Sequence, residues 1–370
     1  MRQDVFVSLC HTLNRESNMN TIKTIGYAAY SRGAALSPYV FERRALRDND
    51  VAMEVLYSGV CHSDLHTVRD DWGWSYYPIV PGHEIIGKVI GVGSKVTKYK
   101  IGDHVGVGCL VDSCMECDQC HRDEEQLCRN QPTYSYSGFD RITNEPTQGG
   151  YSKHLVVREE FCLRIPGKLD LSKAAPLLCA GITTYSPLRT WNVGPGSRVG
   201  VIGLGGLGHM AVKLASALGA EVTVISRTAA KVADALDLGA DKVLISSNEK
   251  EMLNAANSFD LIIDTIPAKH GLDPYLPLLD IDGTLVIVGQ VGPMDEISTF
   301  PLLLGRRRIA SSPIGGIRET QEMLDFCAKK GIVPECEMIR MDQINEAFER
   351  MEQADVRYRF VIDMASLNYK

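Results

Sequence analysis

Apolar residues recur along this chain in two rhythms. In the first half they come as short β-branched runs, Val51–Ser58, Ile85–Val92, His104–Val107 and His154–Val157, separated by turns such as Pro81-Gly82 and Gly102-Asp103. Short strands punctuated this often predict a compact β-rich unit of barrel-like character. After Pro176 the rhythm changes. Six strand-like runs follow, Arg198–Ile202, Glu221–Ser226, Lys242–Ile245, Asp260–Asp264, Thr284–Val288 and Ile309–Pro313, with helical stretches between them. Between the first two, Leu207, Met210, Ala211, Leu214 and Leu218 recur at helical spacing, and Gly219 supplies a stop. Strand–helix alternation of this kind predicts a parallel, doubly wound sheet. A helix over Glu319–Lys330 and a last strand-like run, Tyr358–Ile362, then return to the first unit. The expected division is a tail at 1–20, a β-rich domain in two pieces (21–175 and 319–370) and an inserted doubly wound domain at 176–318.

Composition narrows the possibilities. A net charge of −7, and no basic stretch longer than Arg306-Arg307-Arg308, argue against a nucleic-acid or anionic-membrane partner. No apolar run approaches the roughly 18 residues of a membrane span. Residues 1–20 carry only a short apolar patch, Val5–Leu9, and no small-residue cleavage pattern. They read as a tail or an upstream start, with Met19 an alternative first residue, and not as a signal peptide. Four of the eleven cysteines fall within fifteen residues at regular spacing, a pattern of metal binding in a reducing compartment, with the cytoplasm as the default location.

The glycine-rich segment Gly203-Leu204-Gly205-Gly206-Leu207-Gly208 follows the strand Val199–Ile202 directly and opens the amphipathic helix. In that context Gly203 permits a tight turn, Gly205 lets the backbone approach a pyrophosphate, and Gly208 lets helix and strand pack closely. At the end of the second strand a site for unphosphorylated ribose would carry a carboxylate. Here Ser226, Arg227 and Thr228 stand there instead, with Lys231 one turn later. A hydroxyl with two cations attracts a 2′-phosphate, so the expected cofactor is NADP(H). The bland alternative is that Arg227 and Lys231 are solvated charges at a helix start.

Cys114, Cys117, Cys120 and Cys128 supply four thiolates from one loop. Four sulfurs satisfy tetrahedral zinc and leave no place for substrate, so the reading is a structural ion, with an iron–sulfur cluster as the competing choice. A second set is scattered: Cys61-His62-Ser63-Asp64-Leu65-His66, then Gly82-His83-Glu84, then Cys179. Spacing alone does not assemble these, and a lone cysteine is more often a small buried hydrophobe.

Cys-His-Ser-Asp, Gly-His-Glu, the four-cysteine loop, the segment Leu177–Thr184 and the glycine-rich Val201–Gly208 occur in the order found in zinc-containing medium-chain alcohol dehydrogenases. The chain resembles the cinnamyl-alcohol-dehydrogenase-like branch, bacterial NADP-dependent aldehyde reductases included, from about Ile22 onward. The resemblance implies a GroES-like catalytic domain joined to a Rossmann domain, two zinc ions per chain and a dimer. It implies that Cys61, His83 and Cys179 bind the catalytic zinc, that Glu84 is a mobile acidic residue able to approach it, and that Asp64 holds the ring of His83. Ser63 would donate the proton and His66 resupply it, while Thr183 faces the nicotinamide and His62 stands where some relatives place an arginine against the cofactor. Trp72 and Trp74 fall where the family lines its substrate pocket. Two flat rings there would favour apolar or aromatic aldehydes and alcohols, although both could simply pack the domain. Two rival functions share parts of this pattern. A zinc-free enone or quinone reductase has no reason to carry the three scattered ligands, and a non-enzymatic binding protein would tolerate their loss. The edge position expected for Ile309–Pro313 invites pairing between two copies.

Overall fold

The computed structural model describes residues 21–289 and 292–368; the tail expected over 1–20 lies outside them. Two large sheets organise the chain. The first has seven strands, β3 (Asp50–Val60), β4 (Ile85–Val92), β5 (His104–Val107), β8 (His154–Arg158), β9 (Leu163–Arg164), β16 (Cys336–Arg340) and β17 (Arg359–Asp363). Its path runs β16-β17-β3-β4-β5-β9, with β8 added to β3. The long strand β3 therefore serves two partners on one edge, β8 through Asp50–Glu54 and β17 through Tyr57–Val60. By this pairing the C-terminal segment closes onto the β-rich unit. A hairpin of β1 (Ile22–Ala28) and β2 (Ser37–Arg43) and a ribbon of β6 (Leu110–Asp112) and β7 (Thr133–Tyr134) flank it.

The second sheet is all parallel: β10 (Arg198–Ile202), β11 (Glu221–Ser226), β12 (Lys242–Ile245), β13 (Phe259–Asp264), β14 (Leu279–Ile287) and β15 (Arg308–Ser311). Their order, β12-β11-β10-β13-β14-β15, reverses direction between β10 and β13, the doubly wound arrangement that opens a ligand crevice at the carboxyl ends of those strands. The fifth strand starts five residues before the expected run, and the sixth is Arg308–Ser311 in place of Ile309–Pro313. Leu279 pairs with Phe259 across a register irregularity that leaves 280–283 out of the ladder, and Arg308 enters the ladder opposite Thr284; neither start is marked by a continuous apolar run.

Among the described residues the helices are α1 (His62–Val68), α2 (Leu171–Ala174), α3 (Ala180–Thr190), α4 (Gly208–Leu218), α5 (Val232–Asp237), α6 (Glu249–Asn254), α7 (Phe300–Gly305), α8 (Ile317–Lys330) and α9 (Ile344–Glu352). Gly219 ends α4 at φ 95°, a conformation that costs a β-carbon residue more than glycine. One buried cluster runs from Leu163 and Leu178 through Ile182, Met323 and Leu324 to Val199 and Met210. Thus α3 and α8 join the two sheets through a continuous apolar core, and α3 begins at Cys179. Among the described residues no helix is long and apolar enough to cross a membrane.

Candidate active site and metal centres

Three separated segments meet at one point. Cys61 directly follows β3 and caps α1, His83-Glu84 precede β4, and Cys179 caps α3. One ligand atom from each of Cys61, His83, Glu84 and Cys179 lies within 4.8 Å of the others, and all four residues are buried. Convergence of four such groups in the interior needs compensation, because isolated buried charges are costly.

The surroundings orient them. Asp64, fully buried, accepts hydrogen bonds from the backbone N–H of Cys61 (2.9 Å) and Gly82 (3.0 Å), from the Tyr151 hydroxyl (3.0 Å) and from Nδ1 of His83 (3.0 Å). The Tyr136 hydroxyl also lies 3.0 Å from that nitrogen. With Nδ1 engaged, Nε2 carries the lone pair available to a metal. Burial works most strongly against a charge on His83, but Asp64, Cys109 and Cys61 together outweigh it and raise the ring's pKa. The Cys61 thiol is held below its ordinary range, first by its hydrogen bond with Cys179. Glu84 is pushed up to about 7 by burial, opposed by Arg359. Its Oε1 bonds the Arg359 guanidinium, while Oε2 is buried with no hydrogen-bond partner. A soft thiolate pair, one imidazole and an unpartnered carboxylate oxygen fit a zinc ion with one exchangeable position.

Arg359 carried no signal in the sequence reading. A guanidinium inside the apolar run Tyr358–Ile362 could have flagged it, since a charge in a buried strand implies a buried counter-charge. Tyr136, Tyr151 and Asp71 were equally invisible. Asp71 holds Nδ1 of His66 at 2.8 Å. Ser63 and His66 both lie half-buried on α1 beyond Cys61. His62 is half-buried, and its pKa is lowered by that burial. Thr183 is buried one turn after Cys179, its N–H on the Cys179 carbonyl at 2.9 Å.

From His66 a row of rings leads outward. His66 and Trp72 are 5.6 Å apart, Trp72 and Trp74 stack at 5.5 Å and 14°, and Trp74 meets Tyr134 at 5.8 Å. Trp74 remains 37% exposed, and Trp72 is half-buried.

The four-cysteine loop closes tightly. Sulfur–sulfur distances are 3.4 Å (Cys114–Cys128), 3.5 Å (Cys117–Cys120) and 3.9 Å (Cys114–Cys120). A tetrahedron with zinc–sulfur bonds of about 2.3 Å has edges of about 3.8 Å. An iron–sulfur cluster interposes several atoms and would hold the cysteines further apart. The fit is to one ion.

At the carboxyl end of β10 the glycines act as their positions require. Gly203 has φ 87°, and a β-carbon on Gly208 would lie 2.2 Å from the Gly203 carbonyl oxygen. A β-carbon on Gly205 would meet nothing within 4 Å, leaving that face open to a ligand. Gly206 faces the Arg359 side chain, and Leu207 precedes α4. Lys231 donates to the Leu204 carbonyl at 2.8 Å, which brings its ammonium to the glycine turn. Ser226 Oγ donates to the Thr228 carbonyl, and Arg227 and Thr228 are exposed. Among the described residues no carboxylate pairs with Arg227. A cavity of about 540 Å³ lies elsewhere, between β2 and residues 133–148. Its Arg44, Arg47, Asp50 and Asp140 neutralise one another, and no ligand group of the centre lines it.

Residues 47–167 match the alcohol dehydrogenase GroES-like domain and residues 206–329 the zinc-binding dehydrogenase domain. The NADP-dependent alcohol dehydrogenase C 1 of Mycolicibacterium smegmatis is 54% identical over 94% of this chain and 99% of its own length. The chain belongs to the zinc-containing medium-chain alcohol dehydrogenases, in their cinnamyl-alcohol-dehydrogenase-like branch. Among solved structures, a cinnamyl alcohol dehydrogenase from Sorghum bicolor superposes with a TM-score of 0.91 at 44% identity, covering 94% of this chain and 99% of that one. The Helicobacter pylori enzyme complexed with NADP(H) gives 0.87 at 41% identity, with the same coverages.

Proposed function

We propose that this chain interconverts primary alcohols and aldehydes, preferring apolar or aromatic ones, as a zinc-dependent, NADP(H)-linked dehydrogenase. The carrying observation is the convergence of Cys61, His83 and Cys179 on one buried point with Glu84 drawn toward Arg359. Those three residues would hold the catalytic zinc, and Cys114, Cys117, Cys120 and Cys128 the structural one. When bound, zinc supplies the positive charge that makes a carbonyl carbon electrophilic, and NADPH supplies the hydride.

The chain's own groups do the rest. Ser63 hands a proton to the substrate oxygen, and His66, whose Nδ1 is held by Asp71, replenishes it. Asp64 keeps His83 oriented and basic. Glu84 has one oxygen on Arg359 and one without a partner, so it can approach the ion when no substrate is there. Thr183 borders the nicotinamide, and His62 flanks the cofactor. The glycine turn Gly203–Gly208 receives the pyrophosphate at the start of α4. Ser226, Arg227, Thr228 and Lys231 receive the 2′-phosphate, supported by two exposed cations and no carboxylate at that strand end. Trp72 and Trp74, with Tyr134 beyond, form the apolar side of the substrate channel.

We place the catalytic domain at 21–175 and 319–370 and the nucleotide domain at 176–318, in line with the membership of β16 and β17 in the first sheet. A homodimer is supported by the exposed Phe300, Leu303 and Leu304 on α7, which packs on β14, the neighbour of the edge strand β15. The ten described cysteines are free thiols, which suits the cytoplasm. A panel of aldehydes with NADPH, run before and after chelation alongside metal analysis, tests the reading. Two zincs per chain and loss of turnover on chelation are expected; one ion or none, or turnover indifferent to chelation, would favour a zinc-free reductase.

A further inference from the structure

The structural lobe does more than fold itself. Helix α8 is capped by Gly316, which has no side chain to bond the first free N–H groups. The cap comes from 192 residues away: Oε2 of Glu125, three positions before Cys128, accepts the N–H of Ile317 at 2.9 Å. Glu125 is 5% exposed. Beside it, Arg318 donates to Asp123 at 2.7 Å. The fit is close enough that a β-carbon on Gly316 would lie 1.7 Å from the Asp123 carbonyl oxygen.

What α8 touches leads to the other metal centre. A β-carbon on Gly181 would lie 3.2 Å from Met323 of α8, and one on Gly315 would lie 2.7 Å from the Ile182 side chain. Both Gly181 and Ile182 belong to the first turn of α3, directly after Cys179. A small cavity lined by Leu178, Ile182, Ile314 and Ile317 lies between these elements, next to Cys109. Cys109 in turn lies near enough to Cys179 to perturb its thiol. The position of the α8 start thus sets the wall behind Cys179.

We propose that Glu125 is a positioning residue for the reaction: the four-cysteine lobe, through the Glu125 cap, holds α8 against α3 and so sets the placement of Cys179 and Thr183. The proposal rests on the zinc-enzyme reading above. Its test uses the full chain loaded with both metals. Glu125→Ala opens the end of α8, so amide exchange over residues 315–320 quickens by about tenfold. Displacement near the reacting groups lowers kcat by about tenfold, while metal content and KM for NADPH stay as in the parent, because the bond that is lost joins Glu125 to Ile317 and involves no residue of the glycine turn. Glu125→Gln restores both, since its amide oxygen can accept the same bond. Gly316→Ala separates lobe from helix without touching any ligand and repeats the Glu125→Ala pattern even if that variant does not fold. Unchanged exchange and kcat in Glu125→Ala or Gly316→Ala, or no rescue by Glu125→Gln, would overturn the proposal. Failure of the zinc-enzyme reading would show instead as a parent chain whose turnover ignores chelation.

Discussion

Asp64 offers the sharpest test of how the catalytic centre is held. Its carboxylate receives four hydrogen bonds, two on each oxygen: Gly82 N–H and His83 on Oδ1, Cys61 N–H and Tyr151 on Oδ2. Asp64→Asn preserves shape but turns one side into a donor. If the oxygen stays with His83 and Gly82, the amide faces the Cys61 N–H, and two donors confront each other in a fully buried site. The Tyr151 hydroxyl can rotate to accept, but the Cys61 N–H cannot, and an orphaned buried donor costs about 1–3 kcal/mol. The remaining bonds lose their charge assistance, each worth about 1 kcal/mol more than a neutral bond. The sum is about 3–5 kcal/mol, a large fraction of the roughly 5–15 kcal/mol that separates folded from unfolded domains. The same change weakens the orientation of His83 and the loop of Cys61, so affinity for the catalytic ion falls by about 10–100-fold. Competition with a chromophoric chelator measures this, and the four-cysteine ion serves as an internal control because Asp64 does not touch it. An Asp64→Asn chain that releases both ions at the parent's rates and unfolds at the parent's urea midpoint would refute the reasoning.

Other expectations follow the same geometry. Ser63→Ala lowers kcat by about a hundredfold with metal content unchanged, measured by steady-state kinetics and metal analysis; normal turnover would remove the relay. Arg227→Ala and Lys231→Ala each reduce kcat/KM for NADPH by about tenfold, the lower end for a charge-assisted contact at an exposed site. The values for NADH should hold steady in the same assay. His209, buried behind the glycine turn with Nδ1 donating to the Gly205 carbonyl at 3.1 Å, has its pKa lowered by burial to about 3. The unfolded chain binds this proton below about pH 6.5, whereas the folded chain does so only near pH 3. Stability is therefore lost as pH falls through that window, by about 2 kcal/mol between pH 7 and pH 5. His209→Asn keeps the donor and removes the titration, so its urea midpoint should fall less over that interval.

Features that depend on neighbours in the chain were legible before folding. The glycine turn is one, because tight turning, close packing and ligand approach are demands on consecutive residues, and Gly203, Gly205 and Gly208 meet them in place. The four-cysteine lobe is another, since a loop of fifteen residues can close on one ion without help from the rest of the molecule. The parallel sheet was readable from alternation of strand and helix, although the ends of β14 and β15 were not, because backbone hydrogen bonds carry strands beyond their apolar runs.

The catalytic centre was of the other kind. Cys61, His83 and Cys179 are separated by 22 and 96 positions, and no spacing rule relates them; only their likeness to a known order of motifs did. Their meeting depends on β3, β4 and α3 packing in one register, and the groups that make the meeting tolerable come from still further away. Arg359 reaches Glu84 because β17 pairs with β3, Tyr136 and Tyr151 reach His83 and Asp64 from the long loop before β8, and Glu125 reaches α8 across 192 residues. A buried charge can be satisfied by any suitable partner that the fold brings near. Which partner that is depends on tertiary packing, and local sequence has no means of recording it.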